Sequence, residues 1–134
     1  MAVQSPSAPR LAFVCASTPA AREAKARLEN IYGAATAAEA DIVVALGGDG
    51  LMLQALHRNM RRLKPIYGMN LGTVGFLLNT YKESNLLKRL KKARQVTLTP
   101  LRMLATNTRG KATEVLAINE VSLLRSSRQT ARIE

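Results

Sequence analysis

The stretch Ile42-Val43-Val44-Ala45-Leu46-Gly47-Gly48-Asp49-Gly50-Leu51 decides how this chain is read. From Ile42 to Leu46 apolar residues follow one another without polar alternation, the pattern of a strand covered on both faces in a parallel sheet. The run passes directly into glycines, which let a backbone turn sharply and come close to a ligand. Leu51 to Arg62 then reads as a helix, with Leu53, Leu56, Met60 and Leu63 at helical spacing. Strand, glycine turn, helix is the repeating unit of an α/β sheet.

The same alternation extends to either side. Upstream, Leu11 to Ala16 is a candidate strand, and the Ala-rich stretch Pro19 to Asn30 a candidate helix that Gly33 stops. Downstream, Pro65 breaks the central helix and Pro65 to Met69 forms a third strand. It leads into a second glycine-containing loop, Asn70-Leu71-Gly72-Thr73-Val74-Gly75-Phe76. Glu83 to Arg94 reads as an amphipathic helix, with Leu86, Leu87 and Leu90 as its apolar stripe and Lys88, Arg89, Lys91 and Lys92 as its wet face. Beyond it the pattern changes: Val96 to Thr108 as a strand, Arg109-Gly110-Lys111 as a turn, and Thr113 to Leu124 as the returning strand. The expected architecture is α/β: a Rossmann-like open sheet passing into the first strands of a β-rich region that is largely absent. The expected divisions are a disordered leader over 1–9, an α/β nucleotide-binding domain over 10–96, and the truncated start of a β-rich domain over 97–134.

Composition narrows the classes. The length of 134 residues suits one domain, and the formal net charge of +11 invites a polyanionic partner. The single Cys15 excludes a disulfide framework and a cysteine zinc site. His57 has no second histidine to share a metal, so no side-chain metal site is expected. No apolar run approaches the ~18–20 residues of a membrane span, and the polar start lacks the apolar centre of a signal peptide. The expectation is a cytoplasmic protein without a membrane partner. A nucleic-acid module would interleave its cations with aromatics. The densest basic cluster, Lys88 to Arg94, holds none, so no nucleic acid is expected as partner.

The chemistry concentrates in three places. Gly47, Gly48 and Gly50 surround Asp49 between a buried strand and a helix start, where unpaired amides suit a phosphate. The P-loop lysine and the dinucleotide glycine spacing are both missing. A carboxylate in a phosphate cradle repels its ligand by like charge. It makes sense when a divalent cation bridges the two, or when Asp49 takes a proton from an attacking hydroxyl. Both point to phosphoryl transfer; a turn with Asp as helix cap is the alternative. The second place is the loop holding Asn70, Gly72 and Phe76, which an open sheet sets beside the Asp49 loop at the strands' carboxyl ends. Phe76 stacks on a ring or closes a pocket there, or else fills the core. The third is Asn119-Glu120, polar within an apolar run. The pair grips a vicinal diol, or Glu120 faces solvent on an alternating strand.

Taken in this order, Gly47-Gly48-Asp49-Gly50, Asn70-Leu71-Gly72-Thr73-Val74-Gly75-Phe76-Leu77 and Asn119-Glu120 resemble the NAD kinase family across nearly all of residues 10–125. The first motif is shared with diacylglycerol kinases and phosphofructokinases; the combination is more specific. The resemblance implies a fold of the NAD kinase/phosphofructokinase-like type. It implies phosphorylation of NAD by ATP, with Mg2+, at the adenosine ribose 2′-hydroxyl to give NADP, and assembly as a dimer or tetramer. By resemblance, Asp49 is the proposed base, Leu53 and Phe76 line the NAD pocket, and Asn119 and Glu120 bind NAD. Gly47, Gly48, Gly50, Asn70 and Gly72 complete the nucleotide-binding set. Family members are longer than this chain, so an N-terminal fragment with incomplete activity is expected. A lipid or sugar kinase sharing the glycine loop, and a basic nucleic-acid-binding module, are the alternative readings.

Overall fold

The computed structural model describes residues 8–72 and 76–122. The chain falls into two compact units, one ending at Val96 and the other beginning at Thr97. Of the leader expected over 1–9, residues 1–7 lie outside the described residues.

The first unit runs β1 (Leu11–Cys15), α1 (Pro19–Tyr32), β2 (Ile42–Gly47), α2 (Asp49–Asn59), β3 (Ile66–Asn70), β4 (Asn79–Thr80) and α3 (Leu86–Lys92). Its four strands form one sheet in the order β1-β2-β3-β4, parallel throughout. β2 is flanked on both edges, and residues Val43 to Gly47 are all buried, which is why its sequence is continuously apolar.

Strand side chains alternate between faces, and the two packed clusters follow that alternation. On one face, Ala24 and Leu28 of α1 and Leu86 of α3 pack with Leu11, Phe13, Val44, Leu46 and Met69. On the other, Met52 and Ala55 of α2 pack with Ala45, and Val14 and Ile66 join them. Helices therefore cover both faces, and the expected α/β open sheet is the architecture observed.

Local signals explain the best-defined helix. Thr18 caps α1 by accepting from the Ala21 amide at 3.3 Å, and Pro19 occupies the first turn, where no amide hydrogen is needed. Gly33, at φ 76°, ends it with its amide bonded to Glu29 O.

Other expected boundaries are corrected. The helix expected over 51–62 spans Asp49–Asn59. Leu63, expected on its apolar face, lies beyond its end and is 87% exposed. The helix expected from Glu83 begins only at Leu86, because Asn85 adopts a left-handed conformation and Glu83 turns to other partners. Arg27 Nε donates to Glu83 Oε1 at 2.6 Å, the Tyr81 hydroxyl donates to the same oxygen at 2.9 Å, and the Tyr32 hydroxyl donates to Glu83 O. This network ties the end of α1 to the start of α3. The hydrogen bond from Arg27 first, and that from Tyr81 next, hold the Glu83 carboxyl below the ordinary carboxylate range.

The second unit contains β5 (Leu101–Thr106) and β6 (Ala112–Ala117), paired antiparallel from Leu101↔Ala117 to Thr106↔Ala112. Asn107 organises the turn by accepting from the Arg109 and Lys111 amides at 3.0 and 2.9 Å, and Gly110 takes φ 77°. The strands expected over 96–108 and 113–124 are thus shorter. Residues 96–100 precede β5, and β6 stops at Ala117; 123 and 124 lie outside the described residues.

Candidate active site

The site is built at the carboxyl edge of the parallel sheet. β1 and β2 are neighbours, yet the helices that follow them, α1 and α2, pack on opposite faces. Chains leaving adjacent strand ends in opposite directions open a crevice between them. The Gly47–Gly50 turn lines this edge. At its side, Gly47 pairs with Asn70, and the Leu71 amide donates to Gly47 O at 3.2 Å. The ends of β2 and β3, and the loops that leave them, therefore lie together.

Asp49 joins those loops. Its Oδ2 accepts from the Phe76 amide at 3.1 Å and its Oδ1 from the Leu77 amide at 3.2 Å. Charge-assisted bonds to both oxygens fix the rotation of the carboxylate. Each oxygen keeps a lone pair for a further donor. The alternative of Asp49 as helix cap is corrected: Gly48 is the cap residue, and Asp49 is the first residue of α2, half-buried in its first turn. There its charge is favourable to the helix dipole.

The three glycines differ in their physical reasons. A Cβ on Gly47 would come within 2.9 Å of Leu51 Cδ2 and 3.2 Å of Ala16 Cβ, so the close approach of α2 and the chain after β1 favours glycine there. A Cβ on Gly48 or Gly50 would meet nothing within 4 Å. Gly48, at φ −115°, is in extended backbone open to any residue. Neither packing nor backbone conformation calls for glycine at Gly48. Its open side, like that of Gly50, is where a ligand could approach the backbone closely.

The second loop is anchored at its two described ends. Asn70 Oδ1 accepts from the Gly72 amide at 2.8 Å, so Asn70 shapes the loop as well as edging the site. Thr73, Val74 and Gly75 lie outside the described residues. Phe76, which the sequence left between core and pocket wall, is 92% exposed, while its own amide is held by Asp49. Leu53 is half-exposed and stands outside both packed clusters.

Asn119 and Glu120 belong to the second unit. They were expected within a strand but follow its end, in exposed positions just past β6. Among the described residues no group of three His, Cys, Asp or Glu side chains could hold a metal ion, and no helix is long and apolar enough to cross a membrane.

Two features escaped the sequence reading. The amide of Leu77 carries no side-chain signature. Gly68, inside β3, did carry one, since glycine within a strand marks a close approach.

Known proteins share this sequence. The family model described as the ATP-NAD kinase N-terminal domain matches residues 5–95. A protein of Caulobacter vibrioides named NAD kinase is 49% identical over 128 residues, covering 96% of this chain and 49% of the relative. One from Rhizorhabdus wittichii with the same name is 51% identical over 127 residues, covering 93% of this chain and 49% of the relative. One from Xylella fastidiosa, again named NAD kinase, is 47% identical over 133 residues, covering 99% and 51%. The chain spans about half the length of the curated relatives it matches. A glycine loop after a doubly covered strand, an acid tied to the neighbouring loop, and a family match across the whole α/β unit described here lead to one assignment: the chain belongs to the NAD kinase family.

Proposed function

We propose that this protein takes part in transfer of the γ-phosphoryl group of ATP to the 2′-hydroxyl of the adenosine ribose of NAD, giving NADP and ADP. The observation that carries the reading is the pair of bonds from the Phe76 and Leu77 amides to Asp49. They set a fixed carboxylate, an exposed aromatic ring and an open glycine turn at one edge of the sheet.

Asp49 acts as the general base. One carboxylate oxygen accepts the 2′-hydroxyl proton as the ribose oxygen bonds to the γ-phosphorus and the bond to the β-γ bridging oxygen breaks, releasing ADP. The amides leave that proton-accepting position fixed in direction, which is the main requirement of a reaction governed by positioning and charge. Gly48 and Gly50 admit phosphate against the backbone, where the first amides of α2 precede its first internal bond, from Met52 N to Gly48 O. Gly47 closes the packing behind them, Asn70 and Gly72 shape the adjoining loop, and Leu53 and Phe76 supply apolar walls for the nucleotide. Asn119 and Glu120 grip ribose hydroxyls in the same reading.

The residues fit magnesium that arrives with the nucleotide. Mg2+ is commonly held by one or two carboxylates together with substrate phosphates, and the glycine turn offers the single carboxylate of Asp49. When bound, the ion neutralises charge on the transferring phosphoryl group. The proposal includes a cytoplasmic protein that works as a dimer or tetramer. It also divides the chain into a leader over 1–9, a nucleotide-binding domain over 10–96 and the start of a β-rich domain over 97–134.

The test is incubation of the protein with NAD, ATP and magnesium, followed by separation of NAD from NADP. NADP formation that needs all three supports the reading. Phosphorylation of a lipid or a free sugar with NAD untouched contradicts it.

A further inference from the structure

The Phe76 loop returns to the sheet through Leu78, and the place it returns to is made by Gly68. A Cβ on Gly68 would fall inside the envelope of Leu78 Cδ2, with Leu78 Cγ at 3.4 Å and Met52 Sδ at 3.2 Å. The missing side chain thus leaves a seat in the middle of β3, and Leu78 fills it, half-buried against the cluster of Ala45, Met52 and Ala55. Asn79 holds the same spot, its Nδ2 donating to Gly68 O at 3.1 Å. Met52, which borders the seat, lies one helical turn along α2 from Asp49. Seat and carboxylate thus share α2, which packs against β3. The residues adjoining Leu78 on its N-terminal side are Phe76 and Leu77, whose amides meet the carboxylate.

We propose that Gly68 is a positioning residue for the candidate site: by leaving its side-chain space to Leu78, it sets the amides of Phe76 and Leu77 against Asp49 and holds the exposed ring beside that carboxylate. As a statement about nucleotide binding this rests on the function proposed above; as a statement about the loop it does not. Phe76 itself is nearly unburied, so it does little to place the loop. The placing contacts are the Leu78 seat, the Asn79 bond and the two amides on Asp49.

The test uses the whole chain with Gly68→Ala, Leu78→Ala and both together. Residue-resolved amide hydrogen exchange is read at Phe76 and Leu77, with Val44 and Leu46 in the buried central strand as the fold reference. Gly68→Ala and Leu78→Ala are each expected to speed exchange at Phe76 and Leu77 about tenfold, leaving the reference amides unchanged. The double variant is expected to exchange no faster than Gly68→Ala, because both act through one contact. Unchanged exchange at Phe76 and Leu77, or effects that simply add, overturns the proposal. Should Gly68→Ala also loosen the reference amides, Leu78→Ala decides by the same reading. NAD affinity by calorimetry is the second readout, expected about tenfold weaker in both single variants. Wild-type chain that fails to bind NAD removes the nucleotide reading and leaves the seat judged on exchange alone. NAD affinity that is unchanged in variants with faster exchange overturns the positioning role.

Discussion

Asp49 and Glu120 are carboxylates proposed for one reaction, and the fold treats them differently. Asp49 stands at the first turn of a helix, behind a fully covered strand, with both oxygens held by amides from the next loop. Glu120 stands exposed just past the end of a two-stranded hairpin. The α/β unit completes its own core, so it can hold a side chain to a direction. A hairpin alone is marginally stable and leaves apolar side chains such as Leu101 and Leu104 half or more exposed. Local order follows from how much of an element's surface the chain itself covers.

The largest expected effect tests that contrast in stability. Leu46→Ala removes a side chain buried between β1, β3 and α1 and is expected to cost about 2–5 kcal/mol in denaturant unfolding. Leu104→Ala in the hairpin, at 62% exposure, is expected to change it by about 0.5 kcal/mol or less. Similar costs at both sites would break the comparison.

The next effect separates glycines required by packing from those left open. Gly48→Ala adds a Cβ where nothing lies within 4 Å. The folded state is expected to survive, and NADP formation to fall about a hundredfold because phosphate is displaced. Gly47→Ala is expected to lower the unfolding midpoint, since its Cβ would press on Leu51 and Ala16. A folded Gly48→Ala variant that forms NADP at the original rate would show that the open glycine serves no ligand.

At the other carboxylate, Glu120→Gln is expected to weaken NAD affinity about tenfold, with turnover at saturating NAD retained. An unchanged affinity would leave Glu120 as a solvated side chain.

The smallest effect concerns acid stability. Arg27 and Tyr81 hold the Glu83 carboxyl below its ordinary range, and Arg10 does the same for Asp41. Such groups are deprotonated more readily in the folded state. Their stabilisation is present above the usual carboxylate range and is lost as pH falls through the depressed values. Unfolding midpoints are expected to drop with acidification, with a shallower slope in Glu83→Gln. The difference is expected to shrink at high salt, since the pair is exposed.

Much of the fold was legible because the α/β unit is punctuated. Pro19 and Gly33 bracket α1, and the unbroken apolar run of β2 announces a covered strand. What stayed hidden depends on distant partners. Glu83 looks like a helix start until Arg27, far back in the chain, recruits it. β4 is two residues long and exists through its pairing with Met69 and Asn70. After Ala117 no glycine or proline marks a stop, and apolar residues resume beyond Asn119-Glu120, so the end of β6 could not be read. At the candidate site, Asp49 and Phe76 stand out by residue type. The bonds that join them are made by backbone amides, which any residue but proline supplies.

The most direct test of the account is turnover of NAD to NADP by the protein as its gene encodes it, with and without Asp49→Asn. The substitution keeps shape, removes the proton-accepting charge and leaves one acceptor oxygen where the Phe76 and Leu77 amides had two. The account expects the variant to fold, with the β2 amides as protected as before, and turnover to fall by about two to four orders of magnitude. A folded Asp49→Asn variant that turns over NAD at near the original rate would contradict it.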